Sequence, residues 1–91
     1  MTTIVDWHKV DGQRVAQDLQ EAQAKLNGSE GEVLLDFSGV CRIDPHGLFA
    51  VEDFAKAAEE KAVKVSLRGV NVDVYKVLKL ARLTPRFSFV S

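Results

Sequence analysis

Two histidines, one cysteine and a few carboxylates are the residues of this 91-residue chain whose types could carry chemistry. Their spacing offers little to catalysis. His8 and His46 are far apart, and Cys41 has no second cysteine, so metal-ligand spacing is missing. Cys41, Asp44 and His46 have the residue types of a zinc site without its motif, and Cys41 is expected instead as a half-buried, small apolar residue entering a loop. Asp36 has the chemistry of a general base, but an aspartate at a strand end more often bonds nearby backbone. Trp7, alone in a short β-prone segment, is expected in core or edge packing rather than stacking on a ligand. Lys76, Lys79, Arg82 and Arg86 form a basic run without interleaved aromatics, which fits a solvated face better than a nucleic-acid contact. After the first expected strand, Val10-Asp11-Gly12-Gln13 shows neither GxGxxG nor a Walker pattern. With no activated nucleophile, acid–base pair or metal set, no catalytic, cofactor-binding or metal-binding residue is assigned and the chain is not expected to be an enzyme.

The elements that must position these residues follow from periodicity. Thr3, Ile4, Val5 and Trp7 mark a strand over 3–9 that Asp11-Gly12 breaks. Val15, Ala16, Leu19, Ala22 and Leu26 trace one stripe of a helix over 13–27, with Arg14–Asp18 and Glu21–Lys25 placed to pair on its wet side. The run Asn27-Gly28-Ser29-Glu30-Gly31 ends that helix. Val33 to Phe37 is a compact apolar run, expected as the most buried strand. Asp44-Pro45 is a helix start, with Asp44 as N-cap and Pro45 at the first helical position, and the helix extends to about residue 61. Val63, Val65 and Leu67 alternate with Lys64, Ser66 and Arg68, a strand with one buried face that Gly69 closes. A third helix over 71–82 is capped by Asn71 and turns Val74, Val77, Leu78 and Ala81 inward. Beyond Pro85, Phe87 and Phe89 flank Ser88 in a last short strand. The order β-α-β-α-β-α-β implies an α/β fold with a mostly parallel central sheet packed against helices, in one domain spanning 1–91. Its expected core contains Val15, Leu19, Val51, Phe54, Ala58, Val65, Leu67 and Leu78.

Composition narrows the partners. A net charge of −1 gives no support to a nucleic-acid partner. No apolar run approaches the ~20 residues of a membrane span, so no direct membrane insertion is expected. The N-terminus lacks the basic start and apolar run of a signal peptide, and a single thiol suits a reducing compartment, so the expected location is cytoplasmic.

One constellation stands out: Leu35-Asp36-Phe37-Ser38-Gly39-Val40 followed by Ile43-Asp44-Pro45-His46-Gly47-Leu48. It sets a strand, a short loop and a helix N-terminus in quick succession, and such a tip presents free N–H groups to an anion or a docking partner. Here the chain resembles the STAS family of bacterial anti-sigma-factor antagonists, whose pattern is Asp-[Leu/Phe]-Ser-Gly-Val, two residues, then [Ile/Val]-Asp-Ser-[Ser/Thr]-Gly-Leu. Val10-Asp11-Gly12, Val65 to Asn71 and Val74 to Leu80 are similar to further family segments, so the resemblance covers about residues 10–90. It departs at the N-terminus, where one strand stands for the family's hairpin. It departs again at the tip, where Pro45 and His46 replace the hydroxyl residues and His46 holds the position that the family phosphorylates.

The resemblance implies a regulatory module that docks another protein, an anti-sigma factor or kinase-like partner, without serine phosphorylation. The docking residues it implies are Ser38, Asp44, Pro45 and His46 at the loop and helix tip. The outward side of the second helix adds Phe49, Asp53 and Lys56, with Phe49 either a contact anchor or an aromatic folded over a neighbour or left exposed. At 100° per residue that helix turns Gly47, Val51, Phe54, Ala58 and Ala62 to one side, and His46, Phe49, Asp53, Lys56 and Glu60 to the other. Residues 67–80 are also similar to the STAS subunit of bacterial phospholipid-transport (Mla) ABC systems, which implies the transporter's ATPase as the alternative partner.

Overall fold

The structure, a computed structural model, describes residues 5–26 and 31–90. Thr3, Ile4 and the run Asn27–Glu30 lie outside the described residues. The elements are β1 (Val5–Lys9), α1 (Val15–Ala24), β2 (Glu32–Asp36), α2 (Pro45–Glu60), β3 (Lys64–Arg68), α3 (Val72–Leu80), a 3-10 turn at Thr84–Arg86, and β4 (Ser88–Val90). The order expected from periodicity holds, and the helices are shorter by one to three residues at their ends.

All four strands are parallel and lie side by side in chain order. Each crossover therefore steps in the same direction. Right-handed crossovers then set all three helices on one face of the sheet. The strand residues facing the helices include Val33, Leu35, Val65 and Leu67, each no more than 4% exposed. They join Leu19 of α1, Val51 and Phe54 of α2, and Val74 and Leu78 of α3 in one core. Every residue expected in the core is buried there.

The opposite face carries the row Trp7, Leu34, Ser66 and Ser88, aligned by strand register. Trp7 sits on an edge strand and is 57% exposed, with the Arg68 guanidinium 5.3 Å from its ring centroid. It is an edge residue, and a cation–π contact holds its face. Ser66 departs from the one-sided strand expected for 63–67: it is buried between Leu34 and Ser88, so the middle of β3 is covered on both faces.

Helix ends differ more from expectation. The helical spacing sets Ala62 on the same side of the second helix as Val51, Phe54 and Ala58. Ala62 lies beyond the helix, exposed, with φ of 57°. The left-handed residue lets Val63 N–H reach the Ala58 carbonyl and close the helix. Arg82 does the same after α3 with φ of 60°, as Leu83 N–H donates to the Leu78 carbonyl. The pairing drawn between Arg14 and Asp18 does not form. Asp18 instead accepts from the backbone N–H of Asp11 at 2.8 Å, and Arg14 turns to Gln17. Among the described residues the Glu21–Lys25 ion pair is absent too, because a solvated pair gains too little to hold two long side chains together.

Two stability measurements check this packing. Leu35→Ala or Phe54→Ala should each cost about 2–5 kcal/mol in urea unfolding, a large share of the ~5–15 kcal/mol of an ordinary domain. Ala62→Gly should raise stability by about 0.5–1 kcal/mol, because relief of left-handed strain outweighs glycine's entropy.

Candidate functional site

The sheet's C-terminal edge is where an open parallel fold gathers its loops. Here three loops meet: residues 10–14, 37–44 and 69–71. The middle one begins at Asp36, which is buried. Its carboxylate accepts the Ser38 backbone N–H at 2.9 Å, and Val40 N–H donates back to the Phe37 carbonyl at 2.9 Å, so the chain turns immediately after β2. The Ser38 hydroxyl and backbone N–H hold the Asp36 carboxyl below its usual range; burial opposes this, and Arg68 and Lys9 add to it. Asp36 is thus a carboxylate spent on turn formation, as expected from its place at a strand end.

Neighbouring loops fix the turn from both sides. A Cβ at Gly12 would lie 2.5 Å from the Gly39 carbonyl oxygen, so only glycine admits this approach. On the other side Gly69, at φ of +72°, presses on Ser38, and a Cβ there would stand 2.8 Å from the Ser38 Cβ. Asn71 adds a polar clamp. Its carbonyl oxygen caps α3 by accepting Val74 N–H at 2.8 Å, and its amide nitrogen donates to the carbonyls of Val40 and Cys41 at 3.3 and 3.1 Å.

The loop then enters α2. Asp44 caps the helix, its carboxylate accepting Gly47 N–H at 2.7 Å, and Pro45 follows at the first position. His46, on the first turn, is exposed at the lip of a cleft of about 600 Å³ lined by residues 12–17, Arg42, Ile43 and Asp44. Two arginines, Arg14 and Arg42, thus face the cleft beside the starts of α1 and α2. The sequence pattern assigned Arg14 only a pairing with Asp18 and singled out no role for Arg42, although each lies within a few residues of an expected helix start.

The expected docking residues are all exposed, but they do not form one cluster. Pro45, His46, Phe49, Asp53 and Lys56 run along the outward side of α2. Phe49 is 64% exposed, a large aromatic standing clear on a charged helix face. Ser38 lies on the preceding turn against Gly69, and Asp44 is committed to its cap. Cys41 corrects an expectation: it is exposed, not half-buried, because Val40 beside it takes the inward position. Among the described residues no three His, Cys, Asp or Glu side chains gather as metal ligands, so Cys41, Asp44 and His46 do not converge.

A one-directional parallel sheet, helices on one face and a loop ending in a capped helix tip define a small α/β fold of the STAS kind. The chain matches the family described as "Mlab, STAS domain" over residues 9–87 and belongs to it. Two solved structures share the fold. One is a putative anti-sigma factor antagonist from Thermotoga maritima, with a TM-score of 0.76 and 18% identity, over 99% of this chain and 83% of that one. The other is a sulfate transporter family protein from Wolinella succinogenes, with a TM-score of 0.78 and 20% identity, over 98% of this chain and 80% of that one. No curated protein matches the chain in sequence.

The Asp36 turn gives a pH-dependent prediction. A carboxyl whose folded pKa is depressed contributes stability above its unfolded value near ~3.9, and that contribution is lost as pH falls through the folded value. Asp36→Asn should therefore cost about 1 kcal/mol at neutral pH. The difference from the parent should vanish in the acid range, as read by urea unfolding across pH.

Proposed function

We propose that this chain is a non-enzymatic, protein-binding regulatory module resembling an anti-sigma-factor antagonist. It docks a partner through the loop and the outward side of α2, within residues 38–56. The observation that carries this reading is Phe49: a large apolar side chain 64% exposed, one turn beyond the helix tip, among His46, Asp53 and Lys56. Aromatics with a polar rim are the usual anchors of protein interfaces. The loop behind them is braced by Gly12, Gly69 and Asn71, so the surface is presented in one shape and binding orders little new chain.

Serine phosphorylation at the tip does not operate in this reading. His46 fills the position of the family's phospho-acceptor, and Pro45 removes one N–H from the helix end that would hold a phosphate. The module then binds constitutively, and its release is governed by something other than a kinase acting at that position.

A second reading is favoured by the description of the matched family, which names Mlab. In it the chain is the STAS subunit of an ABC-type phospholipid transporter and binds the ATPase. Both readings use a protein partner. Among the described residues no helix is long and apolar enough to cross a membrane, so attachment to a transporter would run through its soluble part.

Phe49→Ala is the direct test. Its melting temperature should stay within about 2 °C of the parent, because the ring contributes little burial, while affinity for the native partner should fall at least about tenfold. A large fall in stability with binding intact would place Phe49 in the fold's packing instead. Mass spectrometry under acid-free conditions should find His46 unmodified in protein from its native cell. Phosphorylated His46 that releases the partner would overturn the constitutive reading.

A further inference from the structure

α2 and α3 cover the same face of the sheet, and their outward sides carry opposite charge. The segment after α3 runs beside α2, where Ala81, Arg82, Leu83 and Arg86 line a groove with Glu52, Asp53 and Lys56. On α2, Glu52, Asp53, Glu59 and Glu60 outnumber Lys56, and Phe49 stands among them. On α3, Lys76 and Lys79 outnumber Asp73 and are flanked by Val72, Tyr75 and Leu80, which are 68%, 41% and 85% exposed. Phe49, Val72 and Leu80 are three of the exposed large apolar side chains of the described residues, while Tyr75 leans the other way, its ring 5.3 Å from that of Phe89 on the edge strand. Among the described residues one of these charges is paired within the chain: Glu59, with Arg86 at 2.9 Å.

We propose that two copies of this chain pair through the α2–α3 face in a two-fold dimer, α2 of each copy lying over α3 of the other. The charge pattern selects the symmetry axis. A two-fold axis running along the helices sets acidic α2 on basic α3 twice, whereas an axis across them would set like helix on like. The first axis also keeps each residue at its own height. Both helices start at the same edge of the sheet, since Asn71 ties the start of α3 to the loop that enters α2. Phe49 lies four residues into α2, and Lys76 lies four residues into α3. The Phe49 ring of one copy then falls between Val72 and Leu80 of the second. Asp53, eight residues in, falls beside Lys79 and Leu80 of the second copy, at a rise of about 1.5 Å per residue.

The face limits the affinity. A 16-residue helix and its neighbour span about 24 Å by about 20 Å, at the low end of what specific interfaces bury. The dimer is therefore a weak, concentration-dependent one, sensitive to salt because its charges stay at the rim. It covers Phe49 and so competes with the docking described above. That competition rests on the proposed function, whereas the pairing does not, and its test needs no partner.

Sedimentation velocity of the whole chain and two charge-reversed variants tests it. The first variant is Glu52→Lys with Asp53→Lys, and the second is Lys76→Glu with Lys79→Glu; circular dichroism should show both folded, since these side chains lie outside the core. The parent should dimerise in the micromolar range at low salt and dissociate at about 0.5 M salt. Each variant alone should pair at least about tenfold more weakly. An equal mixture of the two should regain the dimer, because in the mixed pair both helix contacts are again opposite in charge. A parent that stays monomeric at hundreds of micromolar, variants that pair as tightly as the parent, or a mixture no better than its components would each overturn the proposal.

Discussion

The shape of the sheet's C-terminal edge depends on how closely three loops approach one another there. Gly12 meets the Gly39 carbonyl and Gly69 meets Ser38 at separations that leave no room for a side chain. Between them the chain turns after Asp36 and must be delivered to Asp44 in the right place to cap α2. Backbone hydrogen bonds complete the brace: Val10 N–H donates to the Asp36 carbonyl at 2.9 Å, and Phe37 N–H to the Arg68 carbonyl at 2.8 Å, extending the sheet's ladder one residue beyond the strands. The apolar anchors Val10, Phe37 and Val40, all at most 2% exposed, hold the same segment from below. The loop thus behaves as part of the rigid core while its other side faces solvent.

That rigidity bears on function more than any single polar group does. A surface that is already ordered forfeits little conformational entropy on binding, so a modest patch can be specific. The structure spends its polar chemistry on this order. Asp36 forms the turn, Asp44 caps α2, and Asn71 both caps α3 and holds the loop. Around the braced loop, the exposed features are the α2 stripe with Phe49 and the cleft lined by Arg14, Arg42, Asp44 and His46. The division suits a module that is read by another protein.

The sequence made the architecture legible because the architecture is periodic. Alternating apolar runs and helical stripes dictate the order of elements, and the Asp44-Pro45 start is a local signal with a local cause. The apolar run around Leu35 likewise marks the centre of the sheet. What escaped were features created by distant contact. Gly12 and Gly69 read as strand breakers, yet their larger role is to admit Gly39 and Ser38, which no local pattern reveals. Asn71 read as a cap, and its second duty toward Val40 and Cys41 depends on the parallel register. Cys41 turned outward because the chain gives the inward place to Val40, a choice between neighbours that hydrophobicity alone does not rank. Ala62 and Arg82 adopt left-handed cap conformations usually left to glycine, so the glycine signal for a helix end was missing where the end occurs. The outward stripe on α2 was visible as a helical face, but the separation of Ser38 from it was not.

The central claim is that the braced loop and the outward side of α2 form the surface that a protein partner reads. The most direct measurement is backbone amide NMR of the labelled chain, free and titrated with its purified native partner. The account predicts shift changes and line broadening concentrated within residues 38–56, with the opposite sheet face around Trp7, Leu34 and Ser66 unaffected. Perturbations confined to that opposite face, with Phe49 and its neighbours unchanged, would contradict it.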